Sequence, residues 1–299
     1  MLDTARALIF TCLVALPHAG AQTAPAPRPA RKALFWKASS PTNVIYLLGS
    51  IHLGSKDLYP LPKEIEEAFA GSAVLLVEAD VRHVDMAKTQ AMVLAKGMYA
   101  GEDSLWNHVS AGTREKVERF CAQFGIPPEG LVKLKPWVVA LTAAAVPMMK
   151  AGLDPNLGID MYFLGKADEK RIVEIESAQW QIDLVSGFSP SLQEQFLSAA
   201  VEDAADEEGN LKRLQDAWFT GDAQKLDALI RESSKMPEEI NKALLKDRNP
   251  HMADAAVQFL KGKEQAFLVV GAAHLVGPDG VVSLLQKRGY KVEQVSLKP

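Results

Sequence analysis

Val44-Ile45-Tyr46-Leu47-Leu48-Gly49-Ser50-Ile51-His52-Leu53-Gly54 and Ala266-Phe267-Leu268-Val269-Val270-Gly271-Ala272-Ala273-His274-Leu275-Val276-Gly277 are two versions of one pattern. Each is an apolar run, then Gly-x-x-His, then aliphatic sequence and another Gly. The runs have strand length and strand composition. Each His is therefore expected just past the C-terminal end of a buried strand, the edge at which open α/β sheets bind ligands. The Gly between strand and His lets the chain turn sharply and leaves room at the mouth. A single strand-end His is an ordinary structural feature. Two of them, 222 positions apart (274 minus 52), point to a pseudo-symmetric site built from both halves of the chain.

The rest of the chain is read outward from these runs. Ala33 to Lys37 reads as a first strand, followed by a turn at Ser39-Ser40-Pro41-Thr42-Asn43. Pro62 opens a helix with Glu64, Glu66 and Glu67 in its early turns, where carboxylates suit the helix dipole, and Gly71 stops it. Ala73 to Val77 is unbroken and apolar, the mark of a central parallel strand. The strand-helix-strand order places it parallel and close to Val44–Leu48. Glu78 is then delivered to the same edge as His52, and Asp80 is the expected cap of the next helix. Arg171 to Ile175 is a further strand, and the Glu176 that follows it echoes Glu78.

Residues 84–150 read as mostly helical. Thr113 to Phe124 stops at Gly125, and Leu131 to Lys150 is apolar nearly all round, with Pro136 at a start and Pro147 as a kink or break. Trp106, Trp137, Met148 and Met149 read as core packing. Gly158 to Leu164 begins another helix. From Ser189 to Lys261 amphipathic helices follow one another, with breaks near Gly209, Gly221, Pro237 and Pro250. Arg248 either holds an anionic group or makes a surface ion pair. A helix from about Pro278 to Arg288 and an edge strand Lys291–Ser296 end the chain. The fold expected is α/β: a central, mostly parallel sheet with helices on both faces, an internal pseudo-repeat, and a helical insertion over about 190–261, all in one domain over 33–299.

With 299 residues, 48% hydrophobic and 23% charged, the composition is that of an ordinary globular chain. The formal net charge is -4 and no Lys/Arg cluster stands out, which argues against a nucleic-acid partner. Residues 1–21 read as a secretory signal: Arg6, an apolar core from Ala7 to Leu16, and Ala19-Gly20-Ala21 before a cleavage point at Gln22. Residues 22–32 are a Pro/Ala-rich tether. The mature chain is expected to be periplasmic or secreted, with no stable membrane insertion after signal cleavage. It would retain one thiol, Cys121, expected to be a small buried apolar residue.

Two imidazoles and one or two carboxylates at one sheet edge are a common set for a first-row divalent ion such as Zn²⁺, Mn²⁺, Fe²⁺ or Co²⁺. Such an ion lowers the pKa of water towards about 7 and arms it for attack on an amide or ester carbonyl, with a free carboxylate as general base. The spacing is not that of His-Glu-x-x-His or a Cys-based zinc module. There is no Gly-x-Ser-x-Gly elbow, Walker A loop or dinucleotide fingerprint, so a nucleophilic Ser or a phosphate cradle is disfavoured.

Tyr46-Leu47-Leu48-Gly49-Ser50-Ile51-His52, Val77-Glu78-Ala79-Asp80, Gly158-Ile159-Asp160, Val173-Glu174-Ile175-Glu176-Ser177 with Gln179, Arg248-Asn249, and Val270-Gly271-Ala272-Ala273-His274-Leu275-Val276-Gly277 together resemble the TraB/GumN family. That family is related to the Tiki membrane-associated metalloproteases and the erythromycin-esterase/ChaN-like group. The resemblance implies an α/β fold with an internal repeat and a divalent-metal-dependent hydrolase with a peptide or small-molecule substrate. By position it places His52, Glu78 and His274 as metal ligands and catalytic residues, with Mn, Co or Zn as the ion. It places Arg248 and Glu176 as supporting, substrate-binding residues. Ala273 stands where members of the family often have Gly. Two other readings stay open: a non-catalytic protein that binds or sequesters a peptide or iron compound in the same cleft, and one in which the two His merely close strand ends.

Overall fold

The computed structural model describes residues 33–82, 85–205, 207–233 and 236–297. The signal, its cleavage point and the tether lie outside the described residues. Six strands form one sheet: β1 Phe35–Ser39, β2 Val44–Ser50, β3 Val74–Val77, β4 Arg171–Glu174, β5 Ala266–Gly271 and β6 Lys291–Gln294, in the order β4-β3-β5-β2-β1-β6. β4, β3, β5 and β2 run parallel. β1 and β6 add antiparallel strands on one side.

Every residue of β3 and β5 is buried. Side chains alternate across a sheet, so both faces are covered, as expected of all-apolar parallel strands. β2 and β3 are parallel but not neighbours: β5, the run carrying the second Gly-x-x-His, inserts between them. The order β3-β5-β2 matters for the site, because it sets Gly271 between the strand ends that deliver Glu78 and His52.

The helices follow local signals closely. α1 (Lys63–Ala70) starts after Pro62, carries Glu64 and Glu66 in its first turn and stops at Gly71. Its buried Ile65, Ala68 and Phe69 fall at helical spacing. α2 (Met86–Gly97) is capped by Asp85, whose side chain accepts from the Lys88 N–H. The expected cap, Asp80, instead pairs with Arg82, 3.1 Å away. α3 (Ala111–Phe124) is capped by Ser110 and ends at Gly125 with φ 65°. α4 (Pro136–Lys150) runs through Pro147 to its end. α5 (Ile159–Gly165) and α6 (Ala178–Ser186) come next.

α7 (Pro190–Ala205), α8 (Glu207–Thr220) and α9 (Ala223–Ser233) follow in order. Gly209 therefore lies inside a helix and does not break one. Gly221, at φ 64°, does. α10 (Glu238–Asn241) runs into a π-turn at Lys242–Lys246, and α11 (Asn249–Lys261) begins with Pro250 in its first turn. α12 (Ala272–Leu275), a single turn, carries His274, and α13 (Val281–Lys287) packs beside α11.

Two apolar cores result. The larger surrounds the sheet and includes Phe69 of α1 and Phe163 of α5, whose rings lie 5.5 and 4.9 Å from that of Phe267. The smaller lies among helices, built mainly by α3, α4, α6 and α7 with Val93, Ile126, Leu131 and Ile240. Trp137 is buried in it and Trp106 packs at its margin, as expected, whereas Met149 is 39% exposed. Cys121 is buried there too. Among the described residues no helix is long and apolar enough to cross a membrane.

Candidate active site

His52, Glu78 and His274 meet at the C-terminal edge of β2, β3 and β5. Gly271 is their common neighbour. A Cβ at that position would lie 3.2 Å from His52 Nε2, 3.4 Å from Glu78 Oε1 and 3.5 Å from His274 Cδ2. The glycine leaves the space that lets the three side chains converge, and its N–H donates to Glu78 Oε1 at 2.7 Å.

Each imidazole is held through Nδ1. His52 Nδ1 donates to Asp160 Oδ2 at 2.8 Å. The Ser50 hydroxyl donates to the same oxygen. His274 Nδ1 lies 2.7 Å from Asn249 Oδ1. The Asn249 amide nitrogen donates to the Asp279 carbonyl at 2.8 Å, which fixes the amide so that its oxygen faces the imidazole. His274 must then carry its proton on Nδ1, leaving the Nε2 lone pair directed at the site. Nε2 stands 3.8 Å from Glu78 Oε1. That is too long for a hydrogen bond.

Glu78 is braced from its other oxygen. Oε2 accepts from Arg248 Nη2 at 2.8 Å and from Gln181 at 3.1 Å. Arg248 also makes a two-pronged pair with Glu176, at 2.8 and 2.7 Å, and Gln181 bonds Glu176 at 3.0 Å. Arg248 Nη1 donates to the Leu244 carbonyl at 2.9 Å, inside the π-turn. Arg248 and Glu176 thus face each other and Glu78, with side-chain exposures of 11% and 5%. This is a buried ion triad, not a surface pair.

The sequence pattern missed Asp160, Gln181 and Asn249 as members of the site. Gln179, which the family pattern singles out, bonds Asp183; the residue two further on reaches the carboxylates. Asp160 arrives because the loop before α5 lies along the end of β2. Gly54 and Asp154 exchange backbone hydrogen bonds, and the Ile159 N–H donates to the Ile51 carbonyl at 3.0 Å. The contact requires Gly158, where a Cβ would stand 2.3 Å from the His52 carbonyl oxygen. Backbone cannot yield as a side-chain tip does, so Gly158→Ala is expected to cost about 3 kcal/mol, the upper end of overpacking. Urea denaturation checks it, and a loss below about 1 kcal/mol would contradict the docking described.

The electrostatics split the two histidines. Burial pulls the His52 imidazole down, but the charge and hydrogen bond of Asp160, helped by Glu78, outweigh it and raise its pKa to about 9. Burial dominates at His274 and lowers its pKa to about 4. Burial pushes Glu78 up, yet the surrounding cationic groups and the Gly271 N–H hold it at about 2. His274 is neutral above about pH 4, so Arg248 and His52 are the counter-charges that persist at neutral pH.

Opposite shifts give opposite pH limbs. His274 binds its proton less tightly folded than unfolded, so its contribution to stability grows from pH 4 to 6.5. His52 binds its proton more tightly folded, so its contribution is full below pH 6.5 and is lost as pH rises to about 9. In chelator-stripped protein, melting temperature against pH should therefore lose its alkaline fall in His52→Gln and part of its acid fall in His274→Gln. Unchanged limbs in both variants would refute the split.

Both imidazoles anchored through Nδ1, with a carboxylate between them, are the donor chemistry of a divalent-ion site, in which an outer hydrogen bond orients each ligand. Among the described residues no three His, Cys, Asp or Glu groups are already disposed to hold one ion.

A mostly parallel α/β sheet with paired Gly-x-x-His strands and a buried Glu-Arg-Glu triad defines the class. The chain belongs to the TraB/PrgY/gumN family, whose sequence profile matches residues 34–294. It is 22% identical over 304 residues to an uncharacterized protein of Treponema pallidum (strain Nichols), covering 94% of this chain and 91% of the relative. It is 24% identical over 246 residues to the uncharacterized protein YbaP of Escherichia coli (strain K12), covering 81% of this chain and 87% of the relative. No solved structure matches it.

Proposed function

We propose that this chain is a periplasmic or secreted hydrolase acting on peptides, with a divalent ion (Mn, Co or Zn) held by His52 Nε2, His274 Nε2 and Glu78 Oε1. The observation that carries this reading is the double anchoring of the imidazoles. Asp160 and Asn249 fix both Nδ1 atoms, which leaves both Nε2 atoms for the site; that of His274 faces Glu78, and ion binding would displace the proton that His52 holds at neutral pH. When bound, the ion supplies Lewis-acid activation of water and of a carbonyl. The chain's own residues do the rest. Asp160 and Asn249 hold the rings against rotation. Arg248 and Gln181 keep Glu78 ionised and in place, and Glu176 keeps Arg248 there. Burial of Glu78 and His274 excludes competing water.

A second reading has its own support. Both oxygens of Glu78 already accept hydrogen bonds, which suits a rigid binding cleft that captures a peptide or iron compound without turning it over. A peptide-library digest of the mature chain, reconstituted in turn with Mn²⁺, Co²⁺ and Zn²⁺, separates the two. Cleavage with at least one ion supports the hydrolase. Binding without cleavage under all three supports the binder.

A further inference from the structure

We infer that the cleft beside His52 is a specificity pocket for a small, uncharged aliphatic side chain of the substrate. This deepens the hydrolase reading and rests on it. The cleft is walled by His52 and Glu78 on the reactive side and by Ala79, Val81, Pro155 and Met161 elsewhere. Ala79 and Val81 follow directly from Glu78. Pro155 and Met161 belong to the same docked loop and helix that bring Asp160 to His52. The segments that assemble the reactive groups therefore also wall the pocket, and the two are continuous.

Size narrows the occupant. The cleft volume is about 40 Å³. A water-sized group needs roughly 10–15 Å³ on the same scale, so about three or four such groups fit. That matches an isopropyl or isobutyl group, whereas an indole would have to extend out of the cleft.

Charge narrows it further. Among the described residues lining the cleft there is no Lys or Arg, and its one imidazole, His52, is already bonded to Asp160, so a carboxylate or phosphate would find no cation that is not already paired. Its two carboxylates are engaged: Asp160 with His52 and Ser50, Glu78 with Gly271, Arg248 and Gln181. The Asn156 amide folds back onto Asp154 at 3.0 Å. A charged side chain of either sign would enter without a partner, which is costly. An aliphatic one meets Val81, Pro155 and Met161.

Capped amino-acid amides test this independently of turnover. The probes are the N-acetyl amides of valine, leucine, tryptophan, aspartate and lysine. Binding to the full chain, metal-free and Zn²⁺-loaded, is followed by isothermal titration calorimetry. The valine and leucine amides are expected to bind at least tenfold more tightly than the other three. Met161→Asp should abolish that preference. Val81→Ala, a milder change, should enlarge the pocket and raise the affinity for the leucine amide relative to the valine amide. Equal binding of the aspartate or lysine amide, no binding of any amide, or an unchanged leucine-to-valine ratio in Val81→Ala would each overturn the proposal. Peptide turnover is scored separately. Selective amide binding without turnover removes the hydrolase and keeps the pocket, whereas turnover without selectivity removes the pocket and keeps the hydrolase.

Discussion

Replacing Arg248 with Met is expected to cost about 3–5 kcal/mol of unfolding free energy, the usual penalty for removing one partner of a buried ion pair. The guanidinium serves two carboxylates at once, Glu78 and Glu176, each with 5% of its side chain exposed. Without it, Gln181 and the Gly271 N–H are the donors that remain to them, and two like charges face each other in a dry interior. Part of the loss should return in the double variant Arg248→Met/Glu176→Gln, which deletes one orphaned charge. Urea denaturation of the three proteins checks this. A single-variant loss below about 1 kcal/mol, or no recovery in the double variant, would mean that the triad is solvated and that Glu78 is held by something else.

The second large effect is on turnover. If the proposed hydrolase reading holds, His52→Ala and His274→Ala should each lower kcat/KM for a cleaved peptide by at least about 10³-fold, because each would delete a nitrogen that reading assigns to holding the ion and orienting the reacting groups. Neither change should unfold the protein. His274 is 4% exposed, so its removal leaves Asn249 Oδ1 without its present donor and a cavity beside it, costing about 1–3 kcal/mol. A residual activity above about a tenth of wild type in a folded His274→Ala protein would remove His274 from the reactive set.

Much of this arrangement is legible in the sequence. β2, β3 and β5 announce themselves as apolar runs of strand length, and a strand end fixes where the next residue points. His52, Glu78 and Glu176 could be placed at one sheet edge from that fact alone. The order of the strands could not. A run such as Ala266–Val270 fits any central slot of a parallel sheet, so its insertion between β2 and β3 is decided by packing between distant parts of the chain. The second layer of the site was hidden for a similar reason. Asp160 reaches His52 through a loop that docks by backbone hydrogen bonds, and those carry no side-chain signature beyond the permissive Gly158. Gln181 lies on a helix face otherwise defined by apolar spacing. Asn249 stands beside Arg248 in the family pattern, but nothing in the sequence ties its amide to His274. Gly209 misled in the opposite direction: its conformational cost in a helix is about 1 kcal/mol, which neighbouring residues of α8 can offset. Asp80 pairs with Arg82, and Asp85, directly before the helix, caps it instead.

The most direct test of the site is ion binding by the mature chain beginning at Gln22, compared with the His52→Ala/His274→Ala double variant. Both are stripped with chelator and dialysed against Mn²⁺, Co²⁺ or Zn²⁺. About one equivalent retained by the wild type, and none by a folded double variant, is the expected result. No retained ion in either protein, or equal retention in both, would contradict the divalent-ion site and leave the cleft as a place of binding alone.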